Sequence, residues 1–333
     1  MRIHWFPCRK RAPACKKFVM PSSVMLFCRS TKGPSFFNLI VVKMLKQGRE
    51  EVRIMETQTM QTSPSTQIVN VGGFDIGGPN FTVIAGPCSI ESQAQFMETA
   101  SGVKAAGAHL LRGGIWKMRT SPTAFQGLGA NSFDMVRTVC KELNMSLVSE
   151  VTDVRQIEEV YDIVECFQVG SRSMQNYELL KELGRQKKPV LLKRGLAAYI
   201  DEWIKASEYV TKMGNQNVIL CERGIRTFET ATRNTLDLNA VAYAKKNTHL
   251  PVIVDPSHAV GIRALVPDLA YAAAAVGADG IIVEVHPRPA EALSDGMQAL
   301  TLNDFSMMMK KLDRILTAID RPLHKAHKAE VYV

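Results

Sequence analysis

From residue 68 onward, short apolar runs alternate with longer segments of helical spacing. Each run is rich in Val, Ile or Leu and ends near a glycine, a proline or a charged residue. The runs are FTVIAG (81–86), HLLRGG (109–114), SLVSEV (146–151), CFQVGS (166–171), PVLLKRG (189–195), NVILCERG (217–224), PVIVDPS (251–257) and GIIVEVH (280–286). The helix-like segments are 91–105, 132–143, 153–160, 175–185, 200–213, 234–246, 264–276 and 301–318. This alternation predicts parallel strands joined by crossover helices.

Eight such units predict an α/β fold of the (β/α)8 TIM barrel type. Nearly continuous apolar strands suit a sheet that is buried on both faces, and eight is the number of units that closes such a barrel. An open doubly wound sheet is the alternative, but no G-x-G-x-x-G motif follows the first strand. The segment VNVGGFDIGG (69–78) predicts a short hairpin that caps the bottom of the barrel.

The first 54 residues differ from the rest of the chain in charge. The chain has 41 Lys+Arg and 32 Asp+Glu, and residues 1–54 hold 12 of the basic and 2 of the acidic residues. The remainder therefore carries 29 basic and 30 acidic residues and gives no charge argument for nucleic-acid binding. We expect an extension over residues 1–65, disordered and basic, followed by a catalytic barrel over residues 66–333.

Three interpretations of this extension stay open. It has the composition of a transit-type targeting segment, and also that of a basic tail that binds anionic surfaces. The third interpretation is upstream sequence translated through a wrong start codon, with Met55 or Met60 as the true start.

The cysteines and the hydropathy pattern bear on the compartment. Seven widely scattered cysteines predict free thiols in a reducing compartment, and no apolar run approaches the roughly 18 residues of a membrane span. We therefore expect a cytoplasmic protein that binds neither nucleic acid nor membrane, apart from a targeting role for residues 1–54.

Charged residues follow most of the apolar runs. In a barrel, the carboxyl ends of the strands form the active site, so these side chains are expected to converge there. They are Arg112, Lys117 and Arg119 after the second run, Glu150 after the third, Arg172 after the fourth, Lys193 and Arg194 after the fifth, and Glu222, Arg223 and Arg226 after the sixth. Guanidinium groups match the oxygens of phosphate and carboxylate, so this rim predicts a pocket for more than one anionic group.

A second set of residues follows the first, seventh and eighth runs, which are neighbours in a closed barrel. Cys88, His258, Glu284 and Asp295 offer one thiolate, one imidazole and two carboxylates. This donor set predicts a site for one divalent transition metal: manganese, iron, cobalt or zinc. A nucleophilic cysteine with a histidine base is the alternative, but nearby carboxylates raise a thiol pKa and fit it less well.

The motifs of these segments resemble those of a known enzyme family. They are AGPCSIES, LLRGGIWKMRTSPTAFQGLG, VSEVTD, QVGSRSMQN, PVLLKRG, ILCERGIRTFE, VDPSHAVG and VEVHPRPAEALSDGMQAL. Over about residues 68–318 the chain is similar to the microbial 3-deoxy-D-arabino-heptulosonate 7-phosphate (DAHP) synthases, in the branch close to 3-deoxy-D-manno-octulosonate 8-phosphate synthase. The resemblance implies a metal-dependent condensation of phosphoenolpyruvate with erythrose 4-phosphate, opening the shikimate pathway, by a homo-oligomer (tetramer or dimer).

The resemblance also implies roles for individual residues. The metal ligands would be Cys88, His258, Glu284 and Asp295. Phosphoenolpyruvate would be bound by Arg112, Lys117, Arg172, Lys193 and Arg223, and erythrose 4-phosphate by Arg119, Thr120, Ser121 and Asp255. Lys117 would donate a proton or position a charge, Glu150 would orient water, and Cys88 and His258 would act through the metal.

Two positions depart from the family pattern, and two other functions stay open. Met118 stands where the family has a proline, and Ile262 where it often has a basic residue. The sister octulosonate synthase, which uses arabinose 5-phosphate, has one more residue between Lys and Arg in the loop that matches KMRTSP, so the four-carbon acceptor is favoured. A non-catalytic phosphate-binding barrel is the remaining alternative.

Overall fold

The structure is a computed structural model that describes residues 65–324, together with the backbone of four earlier strands. The chain divides into two compact units, Met1–Ser63 and Pro64–Val333. In the first unit, consecutive strands pair in an antiparallel sheet; they are Cys15–Met20, Ser23–Cys28, Ile40–Lys46 and Arg49–Met55.

The expected disorder of residues 1–65 does not describe these four segments. Their content of Val, Ile and Phe favours extended backbone. The rest of residues 1–64 lies outside the described residues, and for it disorder stays a prediction.

The second unit is a closed barrel of eight parallel strands, which confirms the predicted fold. Every predicted run contains one strand, and each strand pairs with its neighbours in chain order. The strands are β1 (Thr82–Gly86), β2 (Leu110–Arg112), β3 (Leu147–Glu150), β4 (Cys166–Val169), β5 (Val190–Lys193), β6 (Val218–Glu222), β7 (Val252–Val254) and β8 (Gly280–Glu284). β8 closes the barrel against β1, with Glu284 opposite Gly86.

Helices surround the strands. They are α1 (Gln93–Ala105), α2 (Phe133–Glu142), α3 (Arg155–Glu159), α4 (Tyr177–Gly184), α5 (Ile200–Thr211), α6 (Leu238–Asn247), α7 (Pro256–Val260), α8 (Val266–Ala275) and α9 (Leu302–Ala318). All lie within the predicted helical segments except the short α7, which follows β7, and the last residue of α6, Asn247, which extends one position beyond the segment 234–246. Within residues 65–324, none of these helices combines the length and apolarity needed to cross a membrane.

The core has an inner and an outer layer, as a barrel buried on both faces requires. The outer layer packs the strands against the helices. The inner layer fills the barrel with one side chain or more from every strand and with residues of the hairpin Val69–Val71 and Phe74–Ile76; its strand members are Ile84, Leu110, Val148, Cys166, Leu191, Ile219, Cys221, Ile253 and Ile282. The predicted hairpin is therefore present, and its apolar residues extend the barrel core.

The four cysteines whose side chains are described are free thiols, as predicted. They are Cys88, Cys140, Cys166 and Cys221. The side chains of Cys8, Cys15 and Cys28 lie outside the described residues.

Candidate active site at the barrel mouth

The carboxyl ends of the strands enclose a cavity of about 420 Å³. Side chains from seven basic residues line it, and they are Lys117, Arg119, Arg172, Lys193, Arg223, Arg226 and Arg233. Five further residues that the sequence analysis selected share the lining, and they are Glu150, His258, Asp295, Thr120 and Ser121. The strand order thus brings six of the predicted cations into one cavity, where their mutual repulsion requires bound anions to neutralise it, whereas Arg112 and Arg194 do not line it.

The loop after β2 carries two cations of the cavity, Lys117 and Arg119. Lys117 donates its backbone N–H to Gln126 O at 2.8 Å, and the exposed Thr120 Oγ1 lies 3.5 Å from Arg172 Nη2. Arg119 Nη1 is buried without a hydrogen-bond partner among the described residues. Burial disfavours the charge on Lys117, but the neighbouring Cys88 raises its pKa above the usual value. Lys117 is therefore a protonated group that faces the cavity.

Two arginines that follow adjacent strands have opposite environments. Arg194 Nη1 donates to Glu222 Oε2 and Asp237 Oδ2, both at 2.9 Å, and its Nε donates to Ala198 O at 3.1 Å. It does not line the cavity, so its expected place on the rim is corrected: its charge is neutralised inside the fold. Arg223, by contrast, is 5% exposed, and its Nη1 has no partner within residues 65–324.

Arg112 is buried beside the acidic cluster and does not line the large cavity; it lines a small adjoining space together with Cys88, Glu150 and Gln168. Its Nη2 lies 3.2 Å from Glu284 Oε1, whereas Nε and Nη1 have no hydrogen-bond partner within residues 65–324. Buried donors of this kind are costly to leave unpaired, so these nitrogens point to an anionic ligand.

Asp255 links the cation rim to the predicted metal site. It caps α7 by accepting from His258 N at 2.9 Å, and its Oδ2 contacts both Lys193 Nζ and His258 Nδ1, the latter at 2.7 Å. Asp255 is fully buried and does not line the cavity. It therefore holds Lys193 and His258 in place, and its expected direct contact with the acceptor substrate stays a prediction.

The Asp255 carboxylate decides the tautomer of His258. A carboxylate only accepts hydrogen bonds, so Nδ1 carries the proton and Nε2 presents a lone pair. Burial lowers the pKa of His258 to about 4, which keeps the ring neutral. The imidazole is thus in the state that metal coordination requires.

The four predicted metal ligands form one cluster. Cys88 Sγ, His258 Nε2 and a carboxylate oxygen each from Glu284 and Asp295 lie within 4.8 Å of one another. Glu284 Oε1 is 3.2 Å from His258 Nε2 and has no hydrogen-bond partner in the described part of the chain, and Cys88 Sγ is 3.1 Å from Asp295 Oδ2. Arg112 supplies one positive charge beside Glu284 Oε1, but the cluster still combines a thiol, an imidazole lone pair and two carboxylates, and this donor set fits a divalent transition metal.

Local backbone geometry brings the loops of this cluster together. Gly86 has a φ of 153°, and a Cβ there would lie 2.1 Å from Arg112 O, so only glycine allows β1 and β2 to approach so closely. On the other side, Ser89 Oγ and Ser294 Oγ are 2.7 Å apart, next to Asp295, which adopts a left-handed φ of 49°. This contact holds the loop after β8 against the loop after β1.

Glu150 ends β3 and lines the cavity. Its Oε2 accepts a hydrogen bond from Gln168 Nε2 at 3.3 Å. A Cβ at Gly170 would lie 2.1 Å from Glu150 Oε1, so the space occupied by this carboxylate depends on glycine at that position. The carboxylate faces the cavity, where a water molecule would reach it.

Three residues of the site were missed by the sequence analysis. Gln168 contacts Glu150, whereas Gln298 and Arg233 contact the carboxylates of the cluster. Neutral amides carry no charge signal, and Arg233 precedes α6 rather than following a strand. The motif VEVHPRPAEALSDGMQAL contains Gln298, but the sequence gives no signal for its contact with Glu284.

The comparison with known proteins agrees with this geometry. The family model described as the DAHP synthetase I family matches residues 58–319. The chain belongs to the DAHP synthetase I family. A curated relative, the phospho-2-dehydro-3-deoxyheptonate aldolase of Thermotoga maritima, is 46% identical over 256 residues, which cover 77% of this chain and 76% of that protein. The family expected from the motifs is thereby confirmed.

Two solved structures of DAHP synthases and a curated octonate aldolase are also similar to the chain. The crystal structure of the Thermotoga maritima phospho-2-dehydro-3-deoxyheptonate aldolase (DAHP synthase) matches with a TM-score of 0.76 and 45% identity, over 78% of this chain and 76% of that chain. A truncated form of 3-deoxy-D-arabino-heptulosonate 7-phosphate synthase from the same organism matches with a TM-score of 0.73 and 42% identity, over 79% and 97%. The 2-dehydro-3-deoxyphosphooctonate aldolase of Francisella philomiragia is 30% identical over 272 residues, 74% of this chain and 97% of that protein.

The two departures from the DAHP synthetase family pattern lie in different places. Met118 lines the cavity between Lys117 and Arg119. Ile262 is 39% exposed and does not line the cavity, and Arg263 beside it donates to Gly296 O at 3.1 Å. The change at position 118 therefore bears on substrate contacts, whereas the change at position 262 lies outside the cavity.

Proposed function

We propose that the protein is a 3-deoxy-7-phosphoheptulonate synthase. It condenses phosphoenolpyruvate with D-erythrose 4-phosphate to give DAHP and phosphate, the first step of the shikimate pathway toward chorismate and the aromatic amino acids. The observation that carries this proposal is the meeting of two sets of groups. Four metal-type ligands lie within 4.8 Å of one another, and two of them, His258 and Asp295, line a cavity whose cations include donors without a hydrogen-bond partner among residues 65–324.

The most buried cations of the site are assigned to phosphoenolpyruvate. This substrate brings a carboxylate and a phosphate, for which we assign Arg112, Lys193 and Arg223, with Lys117 and the exposed Arg172 completing the set. Guanidinium forks pair with such oxygens through two parallel hydrogen bonds. Burial of these cations excludes water and strengthens their attraction for the substrate.

The acceptor phosphate fits nearer the entrance. Arg119, Thr120 and Ser121 lie on the loop after β2, and Thr120 and Ser121 are exposed. This arrangement leaves the aldehyde of erythrose 4-phosphate pointing toward the inner end of the cavity, beside Lys117. Binding both substrates in one cavity converts a bimolecular reaction into an effectively intramolecular one.

We assign the proton transfers to two residues at the cavity wall. Carbon 3 of phosphoenolpyruvate forms a bond to the acceptor aldehyde carbon, and Lys117 gives a proton to the resulting oxygen. Water adds to carbon 2 and releases one proton to Glu150. The new hydroxyl on carbon 2 then becomes the ketone oxygen, its proton passes to the phosphate, and the bond between carbon 2 and the phosphate oxygen breaks to release phosphate. Arg and Lys side chains stabilise the charge that develops on the way.

The proposal includes one divalent metal ion, which is manganese, iron, cobalt or zinc. Cys88, His258, Glu284 and Asp295 would hold it, and when bound it would supply Lewis-acid polarisation of the acceptor aldehyde. Lys193 and Asp255 keep His258 in the orientation and tautomer that this coordination needs.

A single assay tests activity, acceptor and metal requirement together. Phosphate release from phosphoenolpyruvate is measured with erythrose 4-phosphate and with arabinose 5-phosphate, before and after treatment with a strong chelator. We expect turnover with the four-carbon acceptor, its loss after chelation and its recovery with Mn²⁺. Turnover with the five-carbon acceptor alone would identify an octulosonate synthase, and no turnover with either would leave a non-catalytic phosphate-binding barrel.

A variant separates the metal from the fold. Cys88→Ser removes the thiolate, so we expect it to lose metal binding and turnover while the barrel stays folded by circular dichroism. Full activity of metal-free enzyme, or of Cys88→Ser with its metal retained, would contradict the metal assignment. In that case Cys88 would be a core thiol.

Assembly and location complete the proposal. We propose a homo-oligomer, a dimer or a tetramer, in the cytoplasm, a setting that suits the four free thiols. Light scattering of the purified protein measures the oligomeric state, and cell fractionation measures the location.

A further inference from the structure

Gln298 is buried beside the cluster of metal-type ligands and contacts one of them, Glu284. It is 2% exposed, and its Nε2 donates to Glu284 Oε2 at 2.6 Å. Its Oε1 accepts from Arg233 Nη1 at 2.9 Å, and the same nitrogen lies 3.4 Å from Asp295 Oδ1. A short chain of polar contacts therefore joins the two carboxylates of the cluster.

The chemistry of its partners decides the orientation of the Gln298 amide. A carboxylate only accepts hydrogen bonds and a guanidinium only donates them. A group placed between Glu284 and Arg233 must therefore donate at one end and accept at the other. The glutamine side chain does this without adding a charge, whereas a glutamate in its place would set an acceptor against an acceptor.

Each carboxylate in consequence has one oxygen held and one oxygen turned toward the cluster. Glu284 Oε2 is held by Gln298, and Oε1 lies 3.2 Å from His258 Nε2 without a hydrogen-bond partner among residues 65–324. Asp295 Oδ1 lies near Arg233, and Oδ2 is 3.1 Å from Cys88 Sγ.

The backbone gives this arrangement its rigidity. Leu300 N donates to Glu284 O at 2.8 Å, and His286 N donates to Leu300 O at 2.9 Å, so the segment that contains Gln298 pairs with the chain just beyond β8. The amide therefore approaches Glu284 from a fixed position, 14 residues along the chain.

We propose that Gln298, supported by Arg233, is a positioning residue for the metal site. We name the pair the Gln298–Arg233 brace. By holding Glu284 Oε2 and Asp295 Oδ1, the brace directs the other oxygen of each carboxylate to the metal. This inference rests on the proposed function, because it assumes that the cluster binds a divalent metal.

Three substitutions test the brace, and metal affinity is the measured quantity. Metal-free full-length protein is titrated with Co²⁺ in competition with a chromophoric chelator, and the thiolate-to-cobalt absorption band is recorded. We expect Gln298→Met to weaken Co²⁺ binding by roughly 10- to 100-fold, the usual effect of losing a group that orients a ligand. Gln298→Glu should weaken it at least as much, because its carboxylate repels Glu284.

Arg233→Met separates the two halves of the brace. It leaves the contact between Gln298 and Glu284 in place, so we expect a smaller loss than for Gln298→Met. The double variant should lose less than the product of the two single effects, because both act through one chain of contacts. Arg233 is part-exposed, so its replacement provides a test even if Gln298 variants fold poorly.

A matched control and a second readout separate positioning from folding. Gln216→Met makes the same chemical change on the exposed Gln216, which precedes β6 at the opposite end of the barrel, and should bind Co²⁺ as the wild type does. A merely structural role of Gln298 would lower the melting temperature of the metal-free variant and leave its Co²⁺ affinity and absorption band unchanged.

The outcomes are distinguishable. Weaker Co²⁺ binding by Gln298→Met and Arg233→Met, with Gln216→Met unchanged, supports the brace. Wild-type affinity in both brace variants overturns the brace and leaves the proposed function intact. A wild-type protein that binds no Co²⁺ overturns the metal site of the proposed function, and the brace with it.

Discussion

The contrast between Arg194 and Arg223 makes a sharp prediction, because the two residues follow neighbouring strands of one barrel mouth. Arg194→Met would leave Glu222, which is fully buried, and Asp237 without the cation that neutralises them. Breaking a buried ion pair by removing one partner costs about 3–5 kcal/mol of unfolding free energy. For a domain of this size we expect the melting temperature to fall by roughly 10 °C.

Arg223→Met should behave in the opposite way. Arg223 Nη1 has no partner among residues 65–324, and burial lowers the pKa of its guanidinium, so the charge is a cost to the ligand-free fold. Its removal should leave the melting temperature unchanged or raised. Phosphoenolpyruvate, however, loses a charge-assisted hydrogen bond of about 1.5–3 kcal/mol and should bind roughly 10- to 100-fold more weakly.

A thermal-shift titration with phosphoenolpyruvate measures both quantities on both variants. We expect Arg194→Met to melt early but to keep a ligand-induced stabilisation, and Arg223→Met to melt normally but to lose it. Adding Glu222→Gln to Arg194→Met should recover part of the lost stability, because the uncompensated carboxylate is then removed. Equal melting temperatures of Arg194→Met and wild type, or normal ligand affinity of Arg223→Met, would refute this reasoning.

Two further predictions concern other parts of the barrel. His109 accepts a hydrogen bond from Val83 N at 2.8 Å through Nδ1, and burial lowers its pKa from 6.5 to about 4. Its contribution to stability is complete above pH 6.5 and is lost as the pH falls toward 4, with about 2 kcal/mol gone at pH 5. In urea unfolding, His109→Asn should keep the acceptor and flatten this dependence, whereas an unchanged slope would exclude His109 as its source. Gly170→Ala should displace the Glu150 carboxylate and lower kcat while the barrel stays folded, and unchanged kcat would argue against a catalytic role for Glu150.

The barrel itself was predictable because its signal is repeated eight times. Each apolar run is buried on both faces. The regular alternation of these runs with helical segments therefore identifies the strands, and eight units specify closure. The ends of the strands then follow, and with them the grouping of Cys88, His258 and Glu284 from β1, β7 and β8. Adjacency in a closed sheet does not depend on side-chain detail, which is why the sequence predicts this part of the site.

The pairing of charges within the mouth could not be predicted in the same way. Position after a strand places Arg194 and Arg223 side by side, but only the packing shows that Asp237, the N-terminal cap of α6, neutralises the first. The contact of Gln298 with Glu284 could not be predicted for a similar reason. It carries no charge, and its relation to Glu284 depends on backbone pairing between segments that periodicity does not reveal.

A rule for a crowded cation site follows from these pairings. A buried cation whose donors are all matched by carboxylates is part of the fold, whereas one with unmatched donors is held ready for an anion. Arg112 is intermediate, because Nη2 contacts Glu284 while Nε and Nη1 have no hydrogen-bond partner within residues 65–324. Arg112 thus touches a proposed metal ligand, and the proposed function also assigns it to phosphoenolpyruvate. A bound metal ion would alter the charge that Arg112 experiences, so we expect metal and phosphoenolpyruvate binding to be coupled through this guanidinium.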